Sequence, residues 1–140
     1  MFFLGRGVDY AVSLEGSLKL KEITYIHSEG YAAGELKHGP IALIENGINV
    51  ISTITNSKLV EKTISNITEV VSRGATTFVI TNQNLPKVDF DYVFEIPKTD
   101  PLLSPMLSIV PLQLIAYYIS KEKGLDVDKP RNLAKSVTVE

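Results

Sequence analysis

The sequence of 140 residues has the length of one domain, and its composition is close to that of globular proteins. Hydrophobic residues make up 44% and charged residues 21%, which argues against disorder. The formal net charge of −2 gives no overall attraction to nucleic acid or anionic lipid. There is no cysteine, which excludes disulfides, thiolate nucleophiles and zinc–cysteine sites, and two histidines leave little for a histidine-based metal site.

The predicted elements begin with a short buried strand. The apolar "FFL" at 2–4 is followed by "GRG", which is typical of a strand that ends in a glycine turn. A helix with Asp9 as its cap is predicted from there to about His27. Residues 28–40 contain three glycines and a proline, which predicts a loop or a broken helix.

The rest of the chain continues to alternate between strands and helices. "NVISTI" at 49–54 predicts a β-branched strand, and 58–74 predicts an amphipathic helix that stops at its last glycine. "TTFVIT" at 76–81 and "YVFEI" at 92–96 predict two further short buried strands. The apolar side of the predicted helix at 58–74 consists of Leu59, Ile64, Ile67, Val70 and Val71. About four strands alternating with helices predict an α/β fold with a small parallel sheet covered on both faces.

Residues 102–120 carry no charge and have the length of a membrane span. Pro105, Pro111, a glutamine and three serines make this segment a poor span. The preferred interpretation is a helix buried on most sides, in the core or in a subunit interface. The expected compartment is the cytoplasm.

A charged stripe is predicted on the first helix. Glu15, Lys19 and Glu22 fall within a band about 60° wide, with apolar residues on both sides. Two interpretations remain open from the pattern. One is a pair of helical ion pairs worth a few tenths of a kcal/mol each. The other is a pocket wall in which two carboxylates flank an amine and the three pKa values diverge.

Two long motifs resemble a known family. "LEGSLKLKEITYIHSEGYAAGELKHGPIAL" at 14–43 and "KPRNLAKSVTVE" at 129–140 resemble the C-terminal part of the glucosamine-6-phosphate synthases, also called glutamine–fructose-6-phosphate aminotransferases (isomerising). The resemblance covers essentially the whole chain. It implies that 1–126 form the second sugar isomerase (SIS) subdomain, a three-layer α/β/α sandwich with a small, mostly parallel sheet. Residues 127–140 would form an extended C-terminal tail.

The resemblance also implies a reaction. In this family, fructose 6-phosphate and ammonia, supplied from glutamine by a separate glutaminase domain, become glucosamine 6-phosphate. No metal or redox cofactor takes part. The active site is shared within a homodimer, and the uncharged helix could help to bury its interface. Neither a membrane nor a nucleic acid is implied as a partner.

The resemblance assigns roles to six residues. Glu22 matches the base that moves a proton between C1 and C2 of the sugar, and Lys19 matches the lysine that assists at its hydroxyls. Lys135 matches the lysine that forms an imine with the open-chain ketose. His38 matches the histidine that opens the sugar ring and belongs to the neighbouring subunit's site, a role that suits a group titrating near neutral pH. Two further residues line the site in this family: Glu15 and Ala134.

Parts of the family's machinery have no counterpart in this sequence. The phosphate-binding serine and threonine loop belongs to the first SIS subdomain, and the glutaminase domain carries a cysteine nucleophile. The chain is therefore expected to have little or no activity alone. Two alternatives are a non-catalytic sugar-phosphate-binding module and a deglycase or related isomerase. The imine-forming Lys135 argues against the first, and the ending at 129–140 argues against the second.

Overall fold

The computed structural model describes residues 1–133, which form a parallel sheet between two layers of helices. The five strands are β1 (Phe2–Gly5), β2 (Glu29–Ala32), β3 (Asn49–Ile54), β4 (Thr76–Thr81) and β5 (Tyr92–Glu95). The helices are α1 (Val8–Thr24), α2 (Val60–Val71) and α3 (Ser104–Glu122), with 3₁₀ helices at Ala33–His38 and Pro40–Leu43. The strand order is β2-β1-β3-β4-β5, and all neighbours are parallel. This architecture confirms the predicted three-layer α/β sandwich, but the prediction that the last strand is buried was wrong, because all four residues of β5 at the sheet edge are exposed.

The strand that the sequence did not predict is β2, which lies at the edge of the sheet and pairs with β1. It falls within 28–40, so the prediction of a loop or a broken helix was wrong for its first part. "EGYA" is short and lacks the alternation that marks a strand. A Cβ atom on Gly30 would lie 3.1 Å from the Cα of Leu14 on α1. The glycine that indicated a turn therefore allows close approach of a helix to the edge strand.

The two ends of α1 differ from the prediction. The residue before the helix is Gly7, with φ of 60°, and Asp9 is the second helical residue rather than the cap. The side chain of Asp9 is buried, and it reaches across to the loop after β3. The helix ends at Thr24, before the predicted His27, because Tyr25 adopts the left-handed conformation with φ of 60°.

Two separate cores lie on the two faces of the sheet. One joins the sheet to α2 and the 3₁₀ segment, and it includes Ile64, Ile67 and Val70 from the predicted apolar side. The other joins the sheet to α1 and α3, around Leu20 and Leu112. Helices α1 and α3 therefore share one face, and α2 lies on the opposite face.

Helix α3 is less buried than expected. Its inward side is a stripe at four-residue spacing that consists of Ser104, Ser108, Leu112, Ala116 and Ser120. Large apolar residues occupy the outward side: Met106, Val110, Leu114, Tyr117 and Tyr118 are all exposed. Small inward residues let α3 pack closely on α1, and an apolar groove of about 820 Å³ remains between α3 and β5. Among residues 1–133, no helix is both long and apolar enough to cross a membrane.

The contact between α1 and α3 predicts an unusual response to a helix-favouring substitution. Alanine in place of a helical glycine normally stabilises by about 1 kcal/mol. A Cβ on Gly16, however, would lie 2.6 Å from Cδ1 of the buried Leu112 and 3.2 Å from its Cβ. We therefore expect Gly16→Ala to lower the free energy of unfolding by about 1–3 kcal/mol in urea titrations.

The double variant with Leu112→Ala supplies the control. Because the shorter side chain removes the overlap, Gly16→Ala should cost clearly less in that background than in the wild type. A stabilising effect of Gly16→Ala in the wild type would contradict the packing described for these two helices.

Candidate active site

The charged stripe predicted on α1 is present. The ammonium of Lys19 lies 2.7 Å from Oε2 of Glu22 and 3.6 Å from Oε1 of Glu15. The three residues are spaced at i, i+4 and i+7, so one face of a rigid helix holds all three groups together. The structure thus contains the helical ion pairs of the first interpretation. These pairs do not exclude the second interpretation, in which the same residues form a pocket wall.

The surroundings of Lys19 favour its charged form. The hydrogen bond to Glu22 raises the pKa of Lys19, the attraction of both carboxylates adds to this, and partial burial opposes it. Lys19 is therefore a cation and a hydrogen-bond donor at neutral pH. Among the described residues, the only donor to Glu22 is Lys19, through Oε2. Within residues 1–133, no donor contacts the other carboxylate oxygen of Glu22, Oε1.

The surroundings of the stripe are more open than a finished pocket. The neighbouring Leu14 and Leu18 are 44% and 42% exposed. Glu15 borders a shallow, mostly apolar groove of about 370 Å³ between α1 and α3. The charged groups therefore lie beside exposed apolar surface, an arrangement typical of a site that another part of a protein covers.

His38 lies at the end of the first 3₁₀ helix, and its Nδ1 is 2.8 Å from Oε2 of Glu35. Its side chain is 72% exposed. The adjacent Lys37 anchors this segment to α2 through a contact of 2.6 Å with Glu69. The other histidine, His27, is an exposed surface residue near Glu29. A carboxylate thus orients the His38 ring while its other nitrogen remains accessible.

A single chain does not bring His38 and Glu22 together. Helix α1 packs on one face of the sheet, whereas the segment carrying His38 packs with α2 on the other. Helix α1 also runs back from the carboxyl end of β1, so Glu22 lies about 20 Å along its axis from that end. His38 comes after the carboxyl end of β2. The two groups therefore occupy different faces and different ends of the sheet.

The tail begins after α3. Ala134 and Lys135 lie outside the described residues. Before them, the guanidinium of Arg131 lies 4.0 Å from the ring centre of Tyr25, and its backbone N–H donates to the Tyr25 hydroxyl at 2.8 Å. The start of the tail thus contacts the end of α1, one turn beyond Glu22.

A buried polar cluster was missed by the sequence reasoning. Oδ2 of Asp9 accepts from the backbone N–H of Thr55 at 2.8 Å and of Asn56 at 3.4 Å, and Oδ1 accepts from the Thr55 hydroxyl at 2.5 Å. Burial raises the pKa of Asp9, while these hydrogen bonds oppose the rise. The cluster joins the start of α1 to the carboxyl end of β3. The signal that could have indicated it was the placement of Asp9 after β1 and of Thr55 directly after β3, since the carboxyl ends of parallel strands meet at one edge of the sheet.

Comparisons with known proteins match this fold and most of this sequence. The family model described as SIS domain matches residues 1–120. Glutamine–fructose-6-phosphate aminotransferases (isomerising) of Clostridium tetani and Clostridium perfringens are 64% and 61% identical over the full chain. The chain spans 23% and 24% of those proteins, about a quarter of their length.

The solved structures show the same likeness. The C-terminal domain of glucosamine-fructose-6-phosphate aminotransferase from Francisella tularensis is 40% identical, with a TM-score of 0.87 over 91% of this chain and 37% of that one. A glucosamine-6-phosphate deaminase from Thermotoga maritima is 32% identical, with a TM-score of 0.77 over 97% of this chain and 39% of that one. The chain therefore belongs to the SIS domain family.

Proposed function

We propose that the chain is the second SIS subdomain (1–126) and the C-terminal tail (127–140) of a cytoplasmic glutamine–fructose-6-phosphate aminotransferase. Such an enzyme converts fructose 6-phosphate and ammonia from glutamine to glucosamine 6-phosphate. The observation that carries the proposal is the unbroken match, at 64% identity, between this whole chain and an aminotransferase of that name.

The geometry of α1 suits the proton transfer in this reaction. Glu22 would remove a proton from C1 of the sugar and deliver it to C2, which needs a carboxylate held on a rigid element. Lys19 is protonated, since its pKa is raised, and can donate hydrogen bonds to the substrate hydroxyls. Glu15 holds the Lys19 ammonium from its other side. In this proposal Glu22 is the base, whereas Glu15 holds the Lys19 ammonium.

The proposed roles of Lys135 and His38 depend on parts of the protein other than the charged face of α1. Lys135 would form an imine with the open-chain ketose, and Ala134 would line the site beside it. His38 would open the sugar ring. Because His38 and Glu22 lie on opposite faces of the sheet, a shared site needs His38 from a second subunit. This separation supports a homodimer, in which the exposed apolar side of α3 is a candidate interface.

The isolated chain offers the first test. We expect isothermal titration with fructose 6-phosphate to give no binding heat, because the phosphate anchor of the family belongs to the first SIS subdomain. We also expect no aminotransferase turnover. The matched control is Lys135→Ala. If the wild type bound the sugar phosphate and Lys135→Ala did not, the chain would hold a complete site, and the half-site proposal would be wrong.

A chimera tests the activity itself. Residues 1–140 would replace the homologous part of the Clostridium tetani aminotransferase, whose identity of 64% favours a native-like join. We expect this chimera to form glucosamine 6-phosphate from fructose 6-phosphate and glutamine. A folded chimera that binds fructose 6-phosphate without turnover would instead support a non-catalytic sugar-phosphate-binding module.

A further inference from the structure

The end of α1 has a conformation that aromatic residues rarely adopt. Tyr25 has φ of 60° and ψ of 19°, in the left-handed region that favours glycine and asparagine. Its backbone N–H still bonds to the carbonyl of Lys21, which closes the last turn. Another interaction must offset the conformational cost of a tyrosine at this position, because asparagine or glycine would end the helix at less cost. The contacts of its side chain supply one.

The tyrosine side chain binds the start of the tail in two ways. Its ring stacks on the guanidinium of Arg131 at 4.0 Å, and its hydroxyl accepts the backbone N–H of the same residue at 2.8 Å. A guanidinium over an aromatic face is a favourable cation–π arrangement. The two residues are 106 positions apart in sequence, so this contact is tertiary. We call it the Tyr25–Arg131 clamp.

Neighbouring contacts attach the end of α3 to the same place. The ammonium of Lys123 donates to the carbonyl of Thr24 at 2.6 Å, and the Ser120 hydroxyl donates to the carbonyl of Ile23 at 2.9 Å. The chain is thus held at the end of α1 first by the last turn of α3 and again by the clamp. The backbone N–H of Leu125 also bonds to the carbonyl of Ser120 at 3.0 Å, so without the clamp the last of these attachments would be Leu125.

The position of the clamp determines how far Lys135 can reach. Lys135 is four residues beyond Arg131, which limits their Cα separation to about 14 Å at about 3.5 Å per residue. From Leu125 the limit would be about 35 Å for ten residues. The clamp therefore reduces the limiting volume open to Lys135 by a factor of about 16, the cube of the ratio of these two distances. Glu22 lies one helical turn before Tyr25, at the same end of α1 that the clamp contacts.

We propose that Tyr25 is a positioning residue, which through the Tyr25–Arg131 clamp fixes the start of the tail so that Lys135 is presented to the substrate beside Glu22. This role rests on the proposed function, in which Lys135 forms the imine. Tyr25 itself touches no reacting atom. It acts by restricting the tail, which raises the effective concentration of the Lys135 amine at the site.

Nuclear magnetic resonance of the isolated chain tests the clamp without any reaction. In Tyr25→Asn the ring is lost, but asparagine tolerates the left-handed conformation, so the helix end is preserved. We expect the heteronuclear NOE values of residues 127–133 to fall in Tyr25→Asn and in Arg131→Gln, and to fall less in Tyr25→Phe, which keeps the ring. Tyr118→Leu, an exposed tyrosine on α3, is the control and should change nothing in the tail. Unchanged values in Tyr25→Asn would refute the clamp.

Imine trapping in the chimera tests the positioning role. The Lys135 amine nitrogen bonds to C2 of the open-chain ketose, the carbonyl oxygen leaves as water, and hydride from added borohydride reduces the imine to a stable amine. We expect Tyr25→Asn and Arg131→Gln to slow trapping and kcat about tenfold, with melting temperature and KM for fructose 6-phosphate nearly unchanged. Arg131→Lys, which keeps a cation over the ring, should restore part of the rate.

The outcomes separate the two proposals. A wild-type chimera that traps imine at the same rate as Tyr25→Asn would overturn the positioning role and leave the proposed function intact. A wild-type chimera that forms no imine and no product would overturn the proposed function, and with it any role of Tyr25 in presenting Lys135. The NMR values would still decide whether the clamp holds the tail.

Discussion

Glu22→Gln in the chimera is expected to lower turnover about a thousandfold, with stability changed by less than about 0.5 kcal/mol. The amide keeps the shape of the side chain and can still accept a hydrogen bond from the Lys19 ammonium. In the wild type, this ammonium lies 2.7 Å from Oε2 of Glu22. It cannot take up a proton from C1. The loss should therefore appear in the initial rate of glucosamine 6-phosphate formation at saturating fructose 6-phosphate, with KM little changed.

The matched control for this prediction is Glu15→Gln. Glu15 lies on the same helix face but at 3.6 Å from Lys19, and its side chain is 47% exposed. Because it has only a supporting role in the proposal, its substitution should reduce turnover less than about tenfold. Equal losses in both variants would show that the stripe acts as one ion-pair unit, and the assignment of Glu22 as the base would fail.

Asp9→Ala is expected to lower the free energy of unfolding by about 3 kcal/mol. The Asp9 carboxylate is the acceptor for the backbone N–H and the hydroxyl of Thr55, and both residues are buried, at 3% and 5% exposure. Alanine would leave these donors without a partner in a place that water does not reach. Urea unfolding of the isolated chain, followed by circular dichroism, measures this loss.

Asp91 offers an exposed version of the same contact. Its Oδ2 also accepts the backbone N–H and the hydroxyl of a threonine, Thr77, at 2.7 and 2.9 Å. Because its carboxylate is exposed, water can replace it, and Asp91→Ala should cost clearly less than Asp9→Ala. Similar losses would mean that burial is not what makes the Asp9 contact important.

The two aspartates should also respond to pH in opposite directions. Burial raises the pKa of Asp9, so its contribution to stability is largest in acid and declines as the pH rises through its folded-state value. The hydrogen bonds from Thr77 lower the pKa of Asp91, whose contribution is present at neutral pH and is lost as the pH falls through its folded-state value. Unfolding of both alanine variants between pH 3 and pH 7, about the range where carboxyl groups titrate, would reveal these trends.

Local patterns predicted the central part of the fold. Strands β3 and β4 are runs of β-branched residues, and α2 has a clear apolar side, so their sequences determine their structure locally. The edge strand β2 was missed because its four residues are strand-like only beside β1 and α1. The orientation of α3 could not be predicted, because a helix without charges has no polar side to mark the outside.

For the candidate site, the sequence likewise predicted the local contacts but not the long-range ones. The spacing of Glu15, Lys19 and Glu22 was enough to place them on one helix face, and their contacts are local. The relation between Glu22 and His38 depends on which face of the sheet each segment packs against, and no local pattern contains that information. The clamp and the Asp9 contact join residues 106 and 46 positions apart, which is why periodicity gave no sign of either.

Helix α1 uses its two sides for different purposes. Small residues such as Ser13, Gly16 and Ser17 face inward and set how closely α3 and the sheet approach, whereas the charged stripe faces outward. Selection for thermal tolerance and selection for catalysis therefore act on different positions of the same seventeen residues. During evolution, a SIS lineage could exchange the outward residues for other chemistry without first rebuilding the packing beneath them.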